Sequence, residues 1–141
     1  MRSSGKAARD CCRHQCVGLS VASWSQDGTG RELLLKDREW AAPPLWRSEF
    51  RNVLTVYLRR DLLQRSDAVA LMQAAETILS SRDESVSSEH VLELVSISRC
   101  SSYDCEFVAA ARQLDVPLVT EDQALLQAFP DVATSLSTSV S

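Results

Sequence analysis

The chain has 141 residues, 45% hydrophobic and 24% charged, with a formal net charge of −4. That is enough apolar material for one globular domain with its own core. No apolar run is long enough to span a membrane, and the acid surplus excludes a uniformly basic nucleic-acid surface, so any such contact falls to a local patch.

Residues 1–29 form an atypical segment, 30–137 read as one domain, and 138–141 as a frayed Ser/Thr-rich tail. The first segment carries Cys11, Cys12 and Cys16 and shows no helical periodicity. Cys11, Cys12, His14 and Cys16 crowd together, but zinc sites pair ligands two to four apart and join them to a second, distant pair. Cys100 and Cys105 do not supply one. The odd total of five cysteines points instead to a reducing, cytoplasmic compartment. Val17, Leu19 and Val21 alternate and predict a short strand. With polar Ser20 and Ser23 it is a poor one for a sheet centre. Val17 to Trp24 is too short, and too broken by Gly18, Ser20 and Ser23, to read as a signal peptide.

Arg31 to Asp37 reads as a short helix and Glu39 to Ala42 as a short strand ended by Pro43-Pro44. A helix follows from Leu45 to about Arg60, with an apolar stripe of Trp46, Phe50, Val53, Leu54 and Tyr57. Glu49 lies on the edge of that stripe, with Asn52 one turn on. It is either an inward carboxylate or half of a helix-face ion pair with Arg47 or Arg51. Arg47, Arg51, Arg59 and Arg60 make this helix the most basic surface, a solvated face or a phosphate contact. Ser66-Asp67 opens the next helix, through Leu79, packing by Val69, Leu71, Met72, Ala75 and Ile78. Ser80 to Ser88 is a polar loop, and Ser87 or Ser88 caps a helix reaching Ser98.

Ser101 or Ser102 then caps a helix in which Asp104 stands three residues past the serine, as in a capping box. Asp104 also shares a face with Phe107, Val108 and Ala111. It is either the cap's acid, satisfied by backbone N–H groups and the helix dipole, or a carboxylate on a buried stripe that needs a partner. Val116 to Thr120 is a short strand and Glu121 to Ala128 a helix. Asp122 therefore sits past a strand's C-terminal end, where open parallel sheets form sites. The alternative makes Thr120 the cap and Asp122 a first-turn acid. Val132 to Leu136 is a last strand. Strands alternating with helices give an α/β class with a mostly parallel sheet.

The inward acids Glu49, Asp104 and Asp122, in that order, resemble the PIN-domain family, and within it the VapC-like toxin ribonucleases of bacterial toxin–antitoxin pairs. The resemblance spans roughly Arg31 to Leu136. It is carried by Leu45-Trp46-Arg47-Ser48-Glu49-Phe50-Arg51-Asn52-Val53-Leu54, by Ser102-Tyr103-Asp104-Cys105-Glu106-Phe107-Val108-Ala109, and by Val116-Pro117-Leu118-Val119-Thr120-Glu121-Asp122. It implies a three-layer α/β/α sandwich and Mg²⁺- or Mn²⁺-dependent cleavage of RNA. Carboxylate oxygens suit those hard cations, which polarise a water and a phosphate. Asp104, Asp122 and Glu49 would be the metal-binding acids, Thr120 a hydroxyl holding the water or a carboxylate, and Arg47, Arg51 and Asn52 the RNA contacts. An antitoxin protein and a homodimer are the further partners implied, with no membrane. The alternative is a catalytically impaired PIN-fold protein acting only as a protein-binding module.

One departure from the family motivates that alternative. Such proteins open on a strand ending in Asp-Thr-Asn or Asp-Thr-Ser, whose aspartate is the first metal ligand, and this sequence has no such motif. Shifted by one base, however, the codons of Asp10 to Gly18 can spell Ile-Val-Val-Asp-Thr-Asn-Val-Leu. The segment before Gly30 thus reads as a frame-shifted PIN first strand.

Overall fold

Four short strands make one sheet: β1 (Gln15–Val17), β2 (Trp40–Ala41), β3 (Leu118–Val119) and β4 (Ala133–Thr134). A computed structural model describes residues 15–17 (backbone only), 40–79, 83–135 and 138. Expectations for the rest of 1–39 and for 138–141 lie outside the described residues, apart from Thr138. These include the Cys11, Cys12 and His14 cluster, the Arg31 helix and the shifted-frame strand.

The strand order is β2-β1-β3-β4 and every pairing is parallel. Cys16 stands opposite Ala41 on one side and Leu118 on the other. The alternation predicted over Val17, Leu19 and Val21 lies, beyond Val17, outside the described residues; the described strand Gln15–Val17 sits between β2 and β3, inside the sheet. The predicted α/β class with a parallel sheet is what the structure has. Beyond β2, Ala42 makes a single parallel bridge to Asp83, and the Glu84 N–H donates to the Ala42 carbonyl at 3.0 Å.

Among the described residues five helices accompany the sheet: α1 (Trp46–Arg59), α2 (Arg65–Leu79), α3 (Ser88–Ser96), α4 (Ser102–Leu114) and α5 (Gln123–Ala128). Pro43 and Pro44 end β2, since neither has an N–H for a sheet ladder, and their carbonyls accept the first N–H groups of α1. The predicted stripe of α1 is the buried one, Trp46, Phe50, Val53 and Leu54, with Tyr57 partly buried. In α2 the prediction is corrected. Val69 and Leu71 are exposed, and the buried line is Ala68, Ala75 and Leu79, with Met72 partly buried between them. These four recur at i, i+4, i+7 and i+11, a single helix face; Val69 and Leu71 fall off it.

Helix α4 is the central packing element. Cys105 and Phe107 through Ala111 are all buried, and α4 touches α3, β1 and β3. Its run of alanines lets the helix approach the sheet closely. Helices α1 and α4 end alike. After α1, Asp61 has φ 53, with Asp61 N–H donating to Leu58 and Leu62 N–H to Tyr57. After α4, Asp115 has φ 55, with its N–H on Arg112 and the Val116 N–H on Ala111. Both are Schellman motifs with aspartate at the left-handed position that glycine usually holds. The second turns the chain from α4 into β3. Among the described residues no helix is long and apolar enough to cross a membrane.

Candidate functional site

The strand order fixes where a site can form. From β1 the chain goes to β2 on one side; from β3 it goes to β4 on the other. The gap between the carboxyl ends of β1 and β3 is therefore the topological switch point, the usual ligand crevice of an open parallel sheet. Thr120 and Asp122 follow directly from β3.

Each of the three predicted acids stands at the N-terminal end of a helix. Glu49 is in the first turn of α1, Asp104 in the first turn of α4, and Asp122 is the N-cap of α5. The partial positive charge of a helix N-terminus favours a carboxylate there. Ser101 is the cap of α4, its Oγ accepting the Asp104 N–H at 3.1 Å, so Asp104 occupies the capping-box position predicted from sequence. Asp122 caps α5 itself: Oδ1 accepts the N–H groups of Ala124 at 2.8 Å and Leu125 at 3.1 Å. The alternative with Thr120 as the cap is thereby excluded. Thr120 is 1% exposed, and its Oγ1 accepts the Asp122 N–H at 3.1 Å. Its oxygen holds the backbone of Asp122 in place.

Asp104 acts on Glu49. Burial pushes the Glu49 carboxyl above its ordinary value, and the charge of Asp104 pushes it further. Neither acid forms an ion pair among the described residues. The possibility that Glu49 pairs with Arg47 or Arg51 is not realised. Arg47 instead grips Asp83 with a two-point contact from Nη1, at 2.9 and 3.0 Å, lies 3.9 Å from Glu76, and stacks 5.0 Å from the Trp46 ring. Arg51 is exposed, its Nε donating to the Arg47 carbonyl at 3.2 Å. Asn52 is exposed. Of the predicted RNA contacts, Arg47 is thus committed to holding the 83–84 edge against α1.

Asp122 joins this field through Cys100. The Cys100 thiol is pushed up by burial first and then by both Asp104 and Asp122, against a lowering hydrogen bond from Ser98. Cys105 is pushed up chiefly by burial, with Cys100 and Asp104 adding to it. Cys100 and Cys105 flank the capped turn at N′ and N4, the positions of a hydrophobic staple, and both are buried free thiols. Sequence reasoning placed neither near the acids. The staple spacing around Ser101-x-x-Asp104 was the signal that could have.

The donor set suits a hard cation: carboxylates and a hydroxyl, with both thiols kept protonated. Its geometry is only partly closed, since among the described residues no three Asp, Glu, His or Cys side chains converge as a metal-binding group. No protein-family model matches the chain, and no curated protein matches it.

Proposed function

We propose that the chain is a metal-dependent ribonuclease of the PIN type, folded as an α/β/α sandwich, acting in the cytoplasm and controlled by a small antitoxin protein. The observation that carries this reading is the Glu49–Asp104 pair. Two carboxylates, in the first turns of α1 and α4, repel one another, with no basic side chain among the described residues to compensate them. A divalent cation is the natural compensation, and Glu49 and Asp104 would hold it with Asp122 at the rim. Bound Mg²⁺ or Mn²⁺ supplies the charge that stabilises a phosphodiester under attack by water. The protein's own contribution is positional. Ser101 fixes the turn bearing Asp104, and Thr120 fixes the backbone of Asp122.

A second reading rests on the absence of a three-ligand group among the described residues. In it the same fold binds a protein partner without cleaving RNA. One experiment separates the two. The purified chain is incubated with single-stranded RNA in Mn²⁺ or in EDTA, beside Asp104→Asn. Cleavage that needs the metal and falls at least about 100-fold in the variant supports the enzyme. Cleavage that persists in EDTA sinks the metal-dependent reading. No cleavage, with a folded chain that still captures an antitoxin, establishes the second.

A further inference from the structure

Among the described residues, four of the five arginines outside ion pairs fall close together in sequence. Arg47 and Arg112 are tied to Asp83 and Asp131. Arg51, Arg59, Arg60, Arg65 and Arg99 are exposed and form no ion pair among the described residues; the first four lie on α1, at its C-cap and at the first residue of α2. From Phe50 to Asp67 the only acids are Asp61 and Asp67, so this stretch is net positive in a chain whose formal charge is −4. Every cation here is arginine, whose planar fork matches a phosphate in a way lysine does not.

The arrangement has a direction. Glu49, Asn52, Val56 and Arg60 follow one another at i, i+3, i+7 and i+11, so they share one edge of α1. Arg59 lies beside that edge. Glu49, at the start, belongs to the acidic pair; Arg60 lies about 16 Å along the helix axis. Beyond Arg60 the surface sinks into a depression of about 540 Å³, with Leu58, Leu62 and Leu63 as apolar lining and Asp61, Gln64 and Arg65 among its polar groups. An acidic pair at one end, an arginine edge leading away from it, and a mainly polar depression at the far end, where Leu58, Leu62 and Leu63 meet Asp61, Gln64, Arg65 and Asp67, match the chemistry of an extended polynucleotide. Such ligands bind through backbone charge, with bases set against apolar surface.

We propose that the Asn52–Arg60 edge of α1 binds single-stranded RNA, with Arg59 and Arg60 on its phosphates and one base seated in the Leu58–Arg65 depression. The choice of RNA rests on the ribonuclease reading; the binding edge itself does not require cleavage.

The test is fluorescence anisotropy with a short labelled single-stranded RNA in EDTA, over a range of salt. Each phosphate contact on a single strand adds about 0.7 to the slope of log K against log salt. The double variant Arg59→Ala/Arg60→Ala therefore lowers the slope by about 1.4 and, at about 0.1 M salt, weakens binding roughly 25-fold. Arg59→Lys/Arg60→Lys keeps most of the slope, and Arg112→Ala, on a distant ion pair, keeps slope and affinity. An unchanged slope in the alanine variant overturns the proposal. So does an equal loss in Arg112→Ala, or competition by polyglutamate as strong as by unlabelled RNA, which would mark the edge as a dock for an acidic protein. Loss of binding in the alanine variant of a chain that never cleaves RNA would reject the ribonuclease reading and leave this one standing. Metal-dependent cleavage with full binding in the alanine variant would do the reverse.

Discussion

Asp122 has two roles to separate, and the structure gives a way to do it. As the N-cap of α5 its Oδ1 accepts two backbone N–H groups, from Ala124 and Leu125. Asp122→Ala leaves both donors without that acceptor at the start of a six-residue helix. Loss of an N-cap side chain costs about 1–2 kcal/mol, which in a chain of this size lowers Tm by roughly 3–5 °C per kcal/mol. Asp122→Asn keeps an oxygen in the same place and loses only the attraction between charge and helix dipole, about 0.3–1 kcal/mol. Urea denaturation followed by far-ultraviolet circular dichroism reads both. The expected order is wild type, then asparagine close behind, then alanine well below. An alanine variant as stable as wild type, or an asparagine variant as damaged as alanine, refutes the capping argument. If the order holds, Asp122→Asn becomes the clean probe of the site: a loss of Mn²⁺ binding or RNA cleavage in that variant comes from the missing charge, not from a frayed α5.

Two further predictions follow from local chemistry. Glu49 titrates above its ordinary value of 4.5 because of burial and then Asp104. Below 4.5 the folded and unfolded chains both hold the proton. As pH rises through the window up to the raised value, only the unfolded chain releases it, so stability falls, and the full penalty stands above that window. Glu49→Gln should therefore gain stability relative to wild type as pH rises above 4.5, measured by urea midpoints; a relative loss contradicts the penalty that burial and Asp104 place on the Glu49 charge. At Asp115, with φ 55, glycine removes a steric cost of about 1 kcal/mol and adds back about half of that in chain entropy. Asp115→Gly should thus be slightly more stable and Asp115→Val clearly less so. Two variants of equal stability would show that the left-handed turn carries no strain.

The sequence carried the helices better than the sheet, for a physical reason. The stripe of α1 and the caps at Ser87 and Ser101 are written within one or two turns, so spacing alone reveals them. In α2 the true face is made of alanines and a methionine, which weigh little in a reading led by Val69 and Leu71. The place of β1 was not legible. Gln15-Cys16-Val17 is too short and too polar to announce a central strand, and what makes it central is Leu118 and Val119, far along the chain. The site divides the same way. Asp104 was visible as an acid three residues past a capping serine, and Asp122 as an acid at the start of a helix after a strand. Arg47 was not visible as a structural clamp, because its partner Asp83 is 36 residues distant. Cys100 entered the acidic field only once α4 and α5 were packed.

The pairing of Cys16 with Leu118 spans about 100 residues, and this sets the order in which the molecule can be made. On the ribosome, the α1–α2 and α3–α4 contacts join neighbouring segments and can form as soon as each pair emerges. The middle of the sheet must wait for β3, and its closure carries the loop entropy of nearly the whole chain. Until then the β1 edge that pairs with β3 and the apolar face of α4 are open to other chains. Synthesis therefore passes through a stage in which most helices exist and the crevice between β1 and β3 does not. Asp122 follows β3 directly, so the crevice beside it forms only after that strand has paired with β1.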